Sequence, residues 1–574
     1  MTGYEYDVLG RATKITYADG GFVAYTYDAN GQVLTATDEL GGVISYAYDA
    51  NGRLIEMTDA MGGKTAYAYD AVGNVTSVTD ALGGSTTYRY DETGNMTSVT
   101  DANGNTTGYS YDALGRAVAV TDANGGVTRA EYDHNGNIVK AVDAEGNATT
   151  YVYDALDRLA SYTNAEGYTF SFQYDNEGNT VASTDGNGNT TRYTYDGLNR
   201  AVSSTNAEGN TAYNTYDADG RMVKSVNEEG AETAYAYDAD GRLISMTDAL
   251  GNVTGFEYDS RDRVIKVADA KGNATTFTYD LAGNVKSETN AKGVVTSYTY
   301  DANGNLTSMT DAAGTVTYTY DALNRVTSVK DRRGNTQFFT YDATDRIVQV
   351  KDRNGNVTRY VYDGNGNIVK TIDALGTESV FTYNKNDQLI STDLHRVDAL
   401  NGVNSHEITL YEYDGRNLVT KEINALGDST VYVYDGNGNL VSKTDADGYV
   451  TRYSYTALDL VKKINYNGAK EVSYQYNKVG ELVQMDDWTG TNTFELDLLG
   501  RLQKMTDHKG NTVSYTYDAV GNQTGITYPD GSKTRSFYDA VYNLTSVIDA
   551  DDGTYAYVYD DANRPVKLTY PNGW

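Results

Sequence analysis

The chain has 574 residues, a formal net charge of −33, no cysteine and 3 prolines, while tyrosine (54) and glycine (58) are heavily used. That charge opposes binding to nucleic-acid phosphates or anionic lipid, and the missing cysteines exclude disulfides and thiolate metal centres. No apolar run reaches membrane-spanning length and no basic-then-apolar leader opens the sequence, so an export signal for a secreted protein would lie outside it.

The elements repeat. A Tyr-Asp pair stands at Tyr6-Asp7, Tyr27-Asp28, Tyr48-Asp49 and Tyr69-Asp70, and returns every 21 residues without a slip to Tyr300-Asp301; with degenerate copies the chain holds 27 units. A fixed period of this size means an array in which each unit touches its neighbours. Residues 1–574 therefore read as a single array. Residues 1–300 are regular, 301–414 are irregular with an inserted loop near 393–406, and 415–574 repeat again with a degenerate unit near 488–500.

One unit shows the local logic. Between Tyr46-Ala47-Tyr48 and Tyr67-Ala68-Tyr69 lie two Asp-x-x-Gly turns, Asp49 to Gly52 and Asp59 to Gly62. Asp opens such a turn by accepting backbone N–H groups ahead of it, and Gly supplies the left-handed residue that closes a short bulged hairpin. Asn replaces Asp at Asn164, Asn206, Asn227 and Asn290 and makes the same local bond. Residues 53–58 and 64–69 are strand candidates rich in Thr, Val and Tyr. Thr65, Tyr67 and Tyr69 alternate onto one face, so stacked repeats predict two files of packed tyrosines. Leu54, Ile55 and Met57 place apolar groups on both parities of the first strand, which predicts partial cover on both of its faces. No helical period occurs. The fold class is all-β: a continuous antiparallel sheet of 21-residue hairpins. About 54 strands at ~4.8 Å would span ~260 Å if flat, and a sheet of that size twists, so it coils into a hollow spiral, tube or shell.

The pattern Tyr-x-Tyr-Asp-x-x-Gly-[Arg/Asn]-hydrophobic, as in Tyr46-Ala47-Tyr48-Asp49 with Gly52-Arg53-Leu54, resembles the YD repeat of the bacterial Rhs family, and does so over essentially the whole chain. The resemblance implies a spiralling hollow shell. In Rhs and insecticidal toxin-complex proteins such shells enclose a C-terminal toxin, and in related animal cell-surface proteins YD shells serve adhesion. The toxin pattern is incomplete here: no Asp-Pro-x-Gly-Leu segment and no unrelated C-terminal domain follow the repeats.

The ends are in register. Gly573 to Tyr6 of a following copy would count the same seven residues as Gly531 to Tyr538. Tyr4, Tyr6, Pro571, Gly573 and Trp574 are therefore candidate assembly ends, either of a segment cut from a longer array or of subunits adding head to tail into a filament.

The remaining candidates are sparse. Asp393, His395, Arg396 and His406 lie on the insertion, next to a locally basic stretch (Arg325, Lys330, Arg332, Arg333, Arg346, Lys351, Arg353), and form a candidate partner loop. Loops such as Asp435-Gly-Asn-Gly-Asn439 look like fragments of calcium loops but lack the closing Glu, leaving at most weak calcium binding. No cofactor, metal site or catalytic residue is expected, because the acids are periodic and no nucleophile motif accompanies the histidines. The sequence thus predicts a non-enzymatic extracellular or cell-surface protein whose partners are copies of itself, an enclosed toxin or a surface glycan, with no nucleic acid and no membrane span.

Overall fold

A computed structural model describes residues 2–397 and 404–573, apart from the side chains of residues 396, 397 and 404. They form one 54-stranded sheet in which each strand pairs antiparallel with its neighbours in the chain. No helix occurs among the described residues, so none is long and apolar enough to cross a membrane.

Both turns of the repeat close by the same bonds. At the Tyr-Asp turn, the Gly52 N–H donates to the Asp49 carbonyl (3.0 Å) and the Asp49 N–H to the Arg53 carbonyl (2.9 Å); at the connecting turn, Gly62 and Asp59 do likewise (3.1 and 2.9 Å to Asp59 and Gly63). The Asp49 carboxylate Oδ1 accepts the N–H groups of Asn51 and Arg53, both at 2.9 Å. Gly52 has φ +81, the left-handed region. Where Gly is absent, Asp or Asn adopts it, as at Asp157 (φ 59) and Asn199 (φ 60), except in the turn after Asp539, where Tyr542 does (φ 66).

The two hairpins differ in register. Across the connecting turn, strands Leu54–Thr58 and Lys64–Tyr69 pair without irregularity (Glu56↔Ala66, Met57↔Thr65, Thr58↔Lys64). Across the next Tyr-Asp turn the register shifts between Ala68 and Tyr69. A bulge raises local twist, and here it recurs along one edge of the sheet only. Equal increments of twist, one per repeat, wind the sheet into a spiral.

The wall is a single layer. Among the described residues, the only buried ones other than glycine are Ala182, Val316, Val472 and Asn492, and the accessible surface is 31367 Å². A compact protein of this mass would expose about 20,000 Å². The expectation that both faces of the first strand are partly covered holds: its copies are half-buried on both parities, as over Val75–Thr79 and Leu159–Thr163, with Ile55 more open at 38% exposed.

The tyrosine files need correction. Tyr67 and Tyr69 do share a face, but tyrosines of successive repeats do not stack, because the intervening strand separates them. Tyr67 pairs opposite Val78, and Tyr46 opposite Met57. The Tyr-Asp tyrosine has a different neighbour. Arg53 lies over the Tyr69 ring (4.7 Å), donates from Nη1 to the Asp70 carbonyl (3.0 Å), and bonds the Asp49 carboxylate Oδ2 through Nε and Nη2, both at 2.7 Å. The Tyr69 hydroxyl donates back to the Leu54 carbonyl at 2.8 Å. The same arrangement recurs from Arg11–Tyr27 to Arg501–Tyr517. Where Asn replaces Arg, it keeps the inward bond (Asn137 Nδ2 to Asp133, 3.0 Å), and at some turns it also reaches the next, as Asn137 does at Asp157 (2.9 Å).

The described parts of the insertion are strand, and residues 398–403 lie outside the described residues. Leu389–Val397 and Asn404–Tyr413 lengthen one connecting hairpin, with His395↔His406 and Arg396↔Ser405 in register, because the added residues complete their backbone bonds with each other. The shortened spacing at Tyr320 comes from a tight hairpin in which Asp311 pairs directly with Gly314.

Replacing Arg53 with Ala removes an ion pair, a cation–π contact and a carbonyl bond, and is expected to cost about 1–3 kcal/mol locally. Amides of Leu54–Thr58 and Lys64–Tyr69 should exchange hydrogen roughly 10–100-fold faster at that cost, with distant repeats unchanged. Arg53→Lys should restore less than half of the loss, since an ammonium cannot form the planar fork.

Candidate functional site: the coil seam and the projecting hairpin

Each repeat presents its Tyr-Asp turn on one edge of the sheet and its connecting turn on the other. One coil rests its connecting turns on the Tyr-Asp turns of the next, with most partners 239 to 252 residues apart and the extremes at 222 and 273. That offset is about 12 repeats of the 21-residue period.

The seam is built from turn side chains. Asn187 Nδ2 donates to Asp435 Oδ2 (2.9 Å), and Asn437 Nδ2 donates to Asp185 Oδ2 (2.8 Å). The Gly436 N–H donates to Asn187 Oδ1 (2.8 Å) and the Asn187 N–H to Asn437 Oδ1 (3.2 Å), giving a nearly reciprocal lock. Asn124 with Asp363, and Asn386 with Asp143, repeat the bond at 3.0 and 2.7 Å. Elsewhere the third residue of the connecting turn is charged: Glu145 accepts the Lys385 N–H (2.7 Å), Glu229 the Lys478 N–H (2.6 Å), and Lys271 pairs with Asp518 (3.0 Å). Arg416 lies over the Tyr168 ring at 4.9 Å, and Arg261 over Tyr17 at 4.2 Å.

Close approach demands small residues. A Cβ built on Gly186 would overlap the Gly436 carbonyl, and one on Gly436 would overlap that of Gly186. Neither glycine has positive φ, so the requirement is space and not backbone conformation. This explains Asp435-Gly-Asn-Gly-Asn439 without a metal: Asp435 Oδ1 accepts the Asn437 and Asn439 N–H groups, and its Oδ2 accepts Asn439 and Asn187. A cleft of about 710 Å³ opens along this seam, with the stacked rings of Tyr162 and Phe170 (4.7 Å) in its lining.

The electrostatics follow the bonds. The Arg53 backbone N–H, aided by its guanidinium, holds the Asp49 carboxyl below its usual range. Asp91 is lowered to about 2 by the side chains of Thr93 and Asn95. At the seam, burial pushes Asp185 up, but bonds from Asn437, Asn189 and Asn187 outweigh it and the net shift is downward. Burial raises the Tyr434 and Tyr455 phenols. Tyr542, whose hydroxyl donates to Asp269 across the seam (2.5 Å), is pushed up to about 12 by burial, that bond and the Asp269 charge.

The sequence-predicted anchors Tyr46, Tyr48, Asp49, Gly52, Asp59, Gly62, Tyr67 and Tyr69 all lie in the repeat hairpins described above. Tyr4 and Tyr6 sit in strand Gly3–Tyr6, 55% and 59% exposed, with Pro571 and Gly573 in the turn after Pro565–Thr569; Trp574 is outside the described residues. Asp393, His395 and His406 meet on the lengthened hairpin, whereas the Arg396 side chain is outside the described residues. Four residues of the basic stretch are paired, and Lys351 lies over the Phe338 ring at 6.0 Å. Arg325 and Arg346 serve the repeat motif, and Arg332 and Arg353 pair with Asp311 and Asp331.

Two family models match. The RHS Repeat model matches residues 27–64, 48–85, 69–106, 92–127, 132–169, 174–211, 434–470, 497–533 and 538–573, and the Teneurin YD-shell model matches 199–339 and 273–401. No curated protein sequence matches the chain. Among solved structures, TcdB2-TccC3 aligns over 100% of this chain and 43% of its own, at 13% identity and a TM-score of 0.50. TcdB2-TccC3-Cdc42 aligns over 99% of this chain and 36% of its own, with the same identity and score. The chain thus spans less than half the length of these neighbours, and the likeness is one of fold.

Gly186→Ala is expected to part the coils locally. Exchange should quicken in the turns around 185–188 and 435–438 while the paired strands on either side stay protected. The pH dependence has a definite sign. The lowered aspartates contribute stability above the unfolded carboxylate value near 3.9, and lose it as pH falls through their folded values. The raised tyrosines contribute below about 10, and lose it as pH rises through theirs. Thermal midpoints should therefore be level from about pH 5 to 9 and fall on both sides. A maximum at the isoelectric point of ≈ 4.4 would contradict this.

Proposed function

Since the chain belongs to the RHS-repeat family, we propose that it is a non-enzymatic structural protein, the wall of a hollow β-spiral that encloses a compartment. The recurrence of seam bonds at one nearly constant offset carries this reading, because a sheet that rests on its own next coil bounds a space. About 12 repeats per coil are about 24 strands, or ~115 Å of circumference at ~4.8 Å spacing. Such a coil is about 35–45 Å across once strand tilt is allowed for, with a lumen on the order of 25–30 Å after side chains. The compartment suits a small or unfolded polypeptide, and membership of the RHS-repeat family favours an enclosed toxin as the occupant and an extracellular setting.

Cryo-electron microscopy of the purified chain tests this. Discrete particles with a low-density centre and a single-layer wall are expected. Solid particles would refute the compartment, and fibres would replace it with head-to-tail addition of copies.

A further inference from the structure

We propose that the lengthened hairpin binds one divalent transition-metal ion of the zinc class through Asp393, His395 and His406. Asp393 and His395 are two residues apart on Leu389–Val397 and so point to the same face, and His406 on Asn404–Tyr413 is the register partner of His395. The two imidazoles lie side by side, with ring centroids 4.0 Å apart. One carboxylate oxygen serves both: Asp393 Oδ2 is 3.5 Å from His395 Nε2 and 3.2 Å from His406 Nδ1.

These spacings match a coordination shell. Ligands bound tetrahedrally at 2.0–2.1 Å stand about 3.3–3.4 Å from one another. One donor atom from each of the three residues lies within 4.8 Å of the others. Two nitrogens and one oxygen favour zinc, cobalt, nickel or copper over calcium and magnesium, which take oxygen. Three protein ligands leave the fourth position open to water or to a donor from a partner.

The site differs in kind from the turn carboxylates. At Asp49 and Asp435 both oxygens are engaged by the protein's own N–H donors, whereas Asp393 faces two imidazoles whose lone pairs can serve a metal. Its place also differs. The hairpin extends the connecting edge of the nineteenth repeat, with strands of 9 and 10 residues where the connecting hairpins on either side have 5 and 6. The inference does not depend on the compartment reading.

Titration of the full chain with Co²⁺, followed by Zn²⁺ displacement, tests it. One tight site per chain with the visible bands of tetrahedral Co²⁺ is expected, displaced by Zn²⁺ and untouched by millimolar Ca²⁺. Asp393→Asn should weaken Zn²⁺ binding roughly tenfold or more. His395→Ala combined with His406→Ala should remove the site while the far-ultraviolet dichroism stays that of the parent. A double variant that binds Zn²⁺ as tightly as the parent, a parent with no tight site, or displacement by Ca²⁺ would each overturn the assignment.

Discussion

The fold depends on one relay. In the repeats that carry arginine after the turn, such as Arg53, Arg116 and Arg158, that arginine holds the aspartate of its own turn, covers the tyrosine ring of the next turn, and bonds the carbonyl beyond it, while that tyrosine's hydroxyl returns a bond. Arg53 with Asp49, Tyr69 and Asp70, together with Tyr69 to Leu54, is the pattern. A sheet one layer thick cannot rely on a buried core, since nearly all of its side chains keep a face toward solvent. Stability must come from backbone pairing and from these lateral links, each modest alone and repeated along the array.

The relay lies along one edge, and so do the register shifts. The other edge turns without a bulge. This asymmetry curves the sheet and brings its two edges together after about 12 repeats. The seam reuses turn chemistry: the aspartates that close hairpins accept, with their second oxygen, bonds from asparagines and lysines of the adjoining coil. Glycines such as Gly186 and Gly436 permit the contact. A net charge of −33 is tolerated because many carboxylates already carry several donors each.

Local features were legible in the sequence. The 21-residue period, the Asp and Gly of each turn, the strand over 64–69 and the Rhs-like motif all rest on contacts within a few residues. The partner of Arg53 lies sixteen residues on, and its regular recurrence after Gly52 was the available signal. The seam was not legible, because the offset between coils depends on the sum of small twists, which no single residue encodes. Asp435-Gly-Asn-Gly-Asn439 therefore looked like part of a calcium loop, though its extra glycine serves the seam. The insertion looked like a loop since its hydrophobic alternation is weak, and only the paired backbones reveal strands that align Asp393, His395 and His406.

Native-state hydrogen exchange across the whole chain tests the central claim that repeats hold one another in sequence without a common core. Opening free energies should vary from repeat to repeat, highest where strands carry the full relay and rest on a neighbouring coil, and lowest toward uncovered repeats. A single shared opening free energy for all protected amides would contradict the account.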